Sequence, residues 1–221
     1  MGTSGGRGVS PTGGDDPTIR SGSVPDAPAV ARLHAGQITE GFLSFLGPGF
    51  LARLYRRIVR SPDSFLLVAE GEGAVVGFIA GTADVGRLYR TFLWRDGPAA
   101  AIGVAGPLLR SWRRVIETLR HGSGDGAGRG DGVELLAVAV DPAWQGRGIG
   151  GGLVAAFLER VEETPAGEAY VVVAGDNVAA IALYRRAGFE AGESFELHRG
   201  TASLLMQWHR ARRGGPVGGA G

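Results

Sequence analysis

The residues best suited to chemistry stand between Val133 and Val154, in VELLAVAVDPAWQGRGIGGGLV. Val133 to Val140 is an apolar run rich in Val and Leu, short enough for a buried strand. Asp141 and Pro142 break it. Gln145-Gly146-Arg147-Gly148-Ile149-Gly150-Gly151-Gly152 then opens a predicted helix that runs to about Glu162. A strand, a glycine-rich turn and a helix start in that order make an anion site. First-turn N–H groups lack partners, the helix dipole favours negative charge, and glycine lets backbone approach a pyrophosphate. A P-loop requires Lys followed by Ser or Thr, but all 23 basic residues here are arginine. Gly146 to Gly151 fits the Gly-x-Gly-x-x-Gly of a dinucleotide site loosely. The turn lies two-thirds of the way along the chain, however, and its Asp-Pro-x-x spacer makes the loop longer than that site uses.

A better description is Gln-x-x-Gly-x-Gly, Gln145 to Gly150, after a strand ending Ala-Val-Asp-Pro. This resembles the acetyl-CoA-binding motif of the GCN5-related N-acetyltransferase (GNAT) superfamily. The second hallmark of that family follows one helix and one strand later, in Asp176-Asn177-Val178-Ala179-Ala180-Ile181-Ala182-Leu183-Tyr184-Arg185-Arg186-Ala187-Gly188-Phe189-Glu190. By this pair of motifs the chain is identified as a member of the superfamily. Helices ending in SFLGPGFLARLYR and a long insert before the fourth strand resemble uncharacterised bacterial members, some associated with amino sugars. The resemblance implies an α/β (α+β) fold: a mixed, mostly antiparallel sheet of six to seven strands flanked by helices, with a helical insertion between strands 3 and 4.

Acetyl transfer from a thioester to an amine sets three demands. The amine must be neutral, and a lysine-like amine with a pKa of about 10.4 is almost wholly protonated at pH 7. The carbonyl oxygen gains charge and needs a fixed donor. The leaving thiolate needs a proton. The resemblance implies Tyr184 as the acid, at its place in the Asn-x-x-Ala-x-x-x-Tyr helix, although a core tyrosine is the plainer reading. Counted back from Gly150, Glu134 takes the strand position of the family's acidic base; the plainer reading is a solvated strand start. Val138, Ala139 and Val140 match the strand positions whose backbone meets the pantetheine arm, with the Val138 N–H as oxyanion donor. Freeing those groups calls for a β-bulge or a splayed strand. Gln145, Gly146, Arg147, Gly148, Gly150 and Gly151 are assigned to the pyrophosphate. Asn177 is assigned to the cofactor arm or to capping its helix.

These residues need a scaffold. Residues 1–17 read as a disordered tail, 18–209 as one domain and 210–221 as a second tail. Thr18 to Gly22 is a first strand. A helix starts at Pro25-Asp26-Ala27-Pro28 with Asp26 as N-cap, and runs to about Ile38. A second runs from Pro48 through Val59, with Phe50, Leu51, Leu54, Tyr55, Ile58 and Val59 on one side. Phe65 to Glu70 and Val75 to Gly81 form a hairpin. The insertion, 82–131, has predicted helices over Val85 to Trp94 and Ala99 to Arg120, then a Gly-rich linker. Between Val85 and Arg120 it carries seven arginines and the aromatics Tyr89, Phe92, Trp94 and Trp112. It reads as a flap packed on the domain, as a wall of the acceptor site favouring an anionic acceptor, or as a dimer or membrane-surface contact. Glu168 to Ala174 is a strand, and Asn177 to Ala187 a helix ended by Gly188. Phe189 to Glu193 and Ser203 to Trp208 close the sheet. Phe42, Phe45 and Phe50, with His34 and Glu40 as weaker candidates, are placed near the acceptor.

A net charge of +1 gives no reason to expect nucleic acid. The absence of cysteine excludes disulfides, thiolate metal sites and a cysteine nucleophile. The four histidines form no metal motif, so no metal is expected. No apolar run reaches the roughly 18 residues of a membrane span, and no signal-peptide core is present, so the expected location is cytoplasmic. The expected activity is acyl-CoA-dependent N-acyl transfer, with acetyl-CoA or another acyl-CoA as co-substrate. The expected acceptor is a primary amine of a small molecule such as an amino sugar, attacked directly in a ternary complex. A non-catalytic CoA-binding regulatory module and a peptide or protein N-acetyltransferase are the alternatives, and a homodimer is left open.

Overall fold

In the computed structural model, residues 16–38, 47–96, 132–198 and 201–210 are described. Seven strands form one sheet between two helical layers. The elements are β1 (Thr18–Ser21), α1 (Ala27–Gln37), α2 (Gly47–Arg60), β2 (Ser64–Gly71), β3 (Ala74–Thr82), α3 (Val85–Arg95), β4 (Val133–Val140), α4 (Ile149–Glu162), β5 (Glu168–Ala174), α5 (Val178–Arg186), β6 (Glu190–His198) and β7 (Thr201–His209). The sheet order is β1-β2-β3-β4-β5-β7-β6. Every neighbouring pair is antiparallel except β4 and β5. The mostly antiparallel α/β architecture expected from the sequence is the one observed.

Each face of the sheet buries its own core. On one side Leu153, Val154, Phe157 and Val161 of α4 and Tyr184 of α5 cover Leu67, Ile79, Val133, Leu135 and Val171. On the other, Val30 of α1, Leu51, Tyr55 and Ile58 of α2 and Leu88 and Phe92 of α3 cover Val68, Phe78 and Ala80. The α2 stripe predicted from helical spacing is thus the buried one.

β4 changes faces partway along. Ala80 pairs with Ala137 but Gly81 pairs with Leu135, which leaves Leu136 as the extra residue of a β-bulge. Val133 and Leu135 lie in the α4/α5 core, while Leu136, Ala137 and Ala139 lie against the α1/α2/α3 core. Val138 and Val140 return to the α4/α5 side. Two adjacent residues therefore share a side, and strand alternation resumes with its sense inverted.

Asp26 occupies the N-cap position of α1, yet its carboxylate does not cap that helix. It turns back to accept from Ser23 N and Ser23 Oγ, both at 2.7 Å, and from the Arg20 guanidinium at 2.9 and 3.0 Å. A short 3₁₀ turn, Val24–Asp26, precedes the helix with Ser23 as its N-cap, so Asp26 closes a capping box on that turn instead. Arg20 holds the Asp26 carboxyl well below the usual carboxylate range.

The first helix of the insertion is docked. Asp84 caps α3 by accepting from Arg87 N at 2.7 Å. Phe92 meets Phe50 edge-to-face at 5.1 Å, and Arg57 of α2 pairs with Asp96 just beyond α3 at 2.6 Å. Of the three arginines of α3, Arg87 pairs with Asp63. The second predicted insertion helix, the Gly-rich linker, both terminal tails up to Asp15 and from Ala211, and the 39–46 connection with Glu40, Phe42 and Phe45 lie outside the described residues.

Candidate active site

β4 and β5 run together only briefly. Their parallel ladder pairs Val133 with Ala169 and Glu134 with Tyr170, although the strands have eight and seven residues. Beyond that vertex β4 is laddered on its β3 side alone, and β5 on its β7 side. The segment with Val138, Ala139 and Val140 therefore borders a cleft between two strands of one sheet. The backbone groups that would join β4 to β5 are left available to something else. Both devices expected from the sequence, a β-bulge and a splayed strand, occur here.

At the open end of the cleft the chain makes the glycine-rich turn. Asp141 N donates to Val76 O at 2.8 Å, and Asp141 Oδ1 accepts from Ala143 N. Gln145 Nε2 donates to Val140 O at 3.0 Å, so this side chain closes the loop onto the strand. Gly146 and Gly148 have φ of 76° and 82°, where a Cβ would be strained. Gly148 is also the N-cap of α4, and glycine offers no capping side chain, so the first-turn amides stay unclaimed by one. A Cβ at Gly146, Gly148 or Gly151 would meet nothing within 4 Å, which marks open space around this turn. Gly150 faces Leu183 at ordinary contact distance. The Arg147 guanidinium lies over the Trp144 ring at 4.6 Å and donates to Ala143 O at 3.3 Å. Between α4 and α5 a cavity of 340 Å³ is lined by Gly148, Gly151, Ala155, Leu183 and Arg186, among others.

Asn177 caps α5, with Oδ1 accepting from Ala180 N at 3.1 Å. That places Tyr184 two turns along the helix, 4% exposed, with its ring tilted on Phe189 at 5.6 Å. Burial pushes its phenol above the ordinary tyrosine range. Among the described residues its hydroxyl has no hydrogen-bond partner. Tyr184 thus combines the core packing of the plainer reading with a retained, uncommitted proton.

Glu134 lies on the opposite face. It pairs with Thr82 near the start of β4 and is half-buried. Three further polar side chains, Tyr89, Tyr55 and His34, gather on this face, and of these His34 is already among the weaker acceptor-side candidates. Tyr89 of α3 is held above its ordinary pKa first by burial and then by the Glu134 charge. Tyr55 is raised by burial and then by Tyr89. His34 Nδ1 is 2.6 Å from the Tyr55 hydroxyl, and burial lowers its pKa to about 4. The signal was partly visible: Tyr55 and Tyr89 sit on the apolar stripes of their helices. Thr82 fixes the start of α3 over this face, sharing a 2.8 Å bond with Ser64 Oγ and accepting from Asp84 N. No group of three or more His, Asp or Glu side chains suited to a metal ion occurs among the described residues.

The same fold occurs in a ribosomal-protein-alanine N-acetyltransferase from Brucella melitensis, with TM-score 0.58 and 21% identity over 87% of this chain and 99% of that one. It occurs also in a phosphinothricin acetyltransferase from Sinorhizobium meliloti in complex with AcCoA, with TM-score 0.55 and 18% identity over 87% of each chain. In sequence, the chain is 34% identical to an uncharacterized protein of Mycobacterium leprae over 60% of this chain and 39% of that protein. It is 43% identical to a mycothiol acetyltransferase of Nocardiopsis dassonvillei over 29% of this chain and 21% of that one. An N-alpha-acetyltransferase of Mycobacterium tuberculosis matches at 46% over 26% of this chain and 34% of its own length. The chain thus spans two fifths or less of these curated relatives. The family model described as Acetyltransferase (GNAT) family matches residues 37–189, which include the split strands, the glycine-rich turn and the Asn177–Tyr184 helix, and the chain belongs to that family.

Proposed function

We propose that the chain is an acyl-CoA-dependent N-acyltransferase that moves acetyl from acetyl-CoA to a primary amine of a small molecule. The observation that carries this is the separation of β4 from β5 beyond Glu134 and Tyr170, which opens toward the uncapped first turn of α4. The donor set suits CoA. The exposed β4 backbone at Val138 to Val140 fits the amides of the pantetheine arm. The α4 amides with Arg147 fit the diphosphate. The cavity beside Arg186 fits the adenosine end. When bound, acetyl-CoA supplies the thioester.

The chain's own residues then have distinct tasks. Glu134 takes a proton from the incoming ammonium, freeing the nitrogen lone pair. As the C–N bond forms, the Val138 N–H donates to the acyl oxygen that gains negative charge. As the C–S bond breaks, Tyr184 gives its proton to the sulfur, and the second proton of the attacking nitrogen passes through water to the tyrosinate, leaving a neutral amide. Its raised pKa keeps that proton in place at neutral pH. The acceptor enters on the α1/α2/α3 face, where Glu134, Tyr89 and Thr82 lie. The docked α3 walls that side, which favours a compact amine over an extended peptide. A cytoplasmic location suits this chemistry; among the described residues no helix is long and apolar enough to cross a membrane. A CoA-binding module without turnover is disfavoured by the retention of both Glu134 and Tyr184 at the cleft.

The test is thermal stabilisation by acetyl-CoA, CoA and NAD, followed by CoA release against amines, amino sugars and peptides. Stabilisation by CoA and turnover on a small amine are expected. Stabilisation by NAD but not CoA overturns the nucleotide assignment. Turnover confined to peptides moves the acceptor to the protein class.

A further inference from the structure

The tryptophan of the turn has no assigned task. Trp144 lies in a 3₁₀ turn, Pro142–Trp144, half-buried against the α4/α5 core. Its indole sits on the end of β2. A Cβ added to Gly71 would come within 2.6 Å of Trp144 Cη2 and 2.8 Å of Cζ3, so the ring fills the space that any other residue at 71 would need. The same ring carries the Arg147 guanidinium at 4.6 Å. Asp141 anchors the turn from below through its N–H on Val76 O, and Trp144 N donates to Asp141 O at 2.8 Å. The hairpin end, the indole and the guanidinium therefore form one stack beside the first turn of α4. Among the described residues Arg147 has no carboxylate partner, so its charge is not spent within the fold.

We infer that Trp144, seated on Gly71, is a positioning residue for CoA binding, holding the Arg147 guanidinium ready for the diphosphate. This rests on the proposed function and deepens it. An exposed arginine samples many rotamers, and fixing one on binding costs affinity. A stacked guanidinium has met that cost before the ligand arrives, and a planar aromatic face suits arginine in particular.

Calorimetric Kd values for CoA, with kcat/KM for acetyl-CoA and for acetyl-pantetheine, test this in the full chain. Trp144→Ala is expected to weaken CoA about fivefold, the scale of an exposed cation–π contact. It should lower kcat/KM for acetyl-CoA to match, while acetyl-pantetheine, which lacks the diphosphate, is unaffected. Trp144→Phe should restore most of the affinity. Gly71→Ala, which displaces the ring from beneath, should reproduce part of the loss. In an Arg147→Ala background Trp144→Ala should add nothing. An undiminished CoA affinity in Trp144→Ala, an equal loss for acetyl-pantetheine, or an additive loss beside Arg147→Ala overturns the inference. A wild-type chain that binds no CoA overturns the proposed function itself, and this inference with it.

Discussion

Glu134 stands opposite Tyr170 in the last rung of the parallel ladder between β4 and β5. The two residues mark the point where one sheet becomes two diverging edges. In the proposed reaction this half-buried carboxylate takes a proton from an amine that enters on the α1/α2/α3 face. Glu134→Gln keeps the size of the side chain and removes its basicity. We expect kcat/KM at neutral pH to fall about 100-fold. Steady-state rates of the wild type and the variant at pH 7 check this, and an undiminished kcat/KM would transfer the base role to water.

Tyr184 offers a complementary test on the other face. Its hydroxyl holds no partner among the described residues, while its ring packs on Phe189. Tyr184→Phe should therefore leave the thermal midpoint nearly unchanged and lower kcat about 100-fold. Retained turnover would leave the residue only its packing role.

Tyr89 belongs to the helix that the insertion adds. Its phenol stays protonated beside the Glu134 charge and can donate to the acceptor. Loss of one such hydrogen bond costs about 1 kcal/mol, so Tyr89→Phe should raise KM for the amine roughly fivefold. KM for acetyl-CoA should not move. If neither constant changes, α3 is a structural addition alone.

His34 makes stability depend on pH. Burial lowers its pKa from 6.5 to about 4, so the folded state resists a proton that the unfolded state accepts. Its contribution is fully present above pH 6.5 and is lost as pH falls from there toward 4. A difference of that size corresponds to roughly 3 kcal/mol at most. His34→Asn keeps a polar partner for Tyr55 and removes the titration. Urea unfolding at pH 7 and pH 4.5 should show a smaller acid loss in the variant than in the wild type.

Much of this was readable in advance because it depends on local rules. β5 has the predicted bounds, Asn177 caps the helix it precedes, and the glycine-rich turn opens α4. Spacing within one element or across one turn decides each of these. The bulge at Leu136 was not locatable. In VELLAVAV nearly every residue suits either face, so the letters carry no alternation to be broken. The gathering of His34, Tyr55, Tyr89 and Glu134 requires three helices to settle over one sheet face, which is a tertiary fact. The backward turn of Asp26 depended on Arg20, six residues earlier, winning its carboxylate from the helix. The β6–β7 hairpin also proved longer than the apolar runs suggested, since paired edge strands can extend through polar residues.

The extra residue in β4 has a consequence for how this sequence can change. Val133 to Leu135 and Ala137 to Val140 obey opposite alternations, and Leu136 is the joint between them. Substitutions among apolar residues there alter packing by degrees. Deleting a single residue at the joint would straighten the strand and turn either Glu134 away from the α1/α2/α3 face or Val138 and Val140 away from their core. The strand can drift in composition, but its length is fixed to the residue.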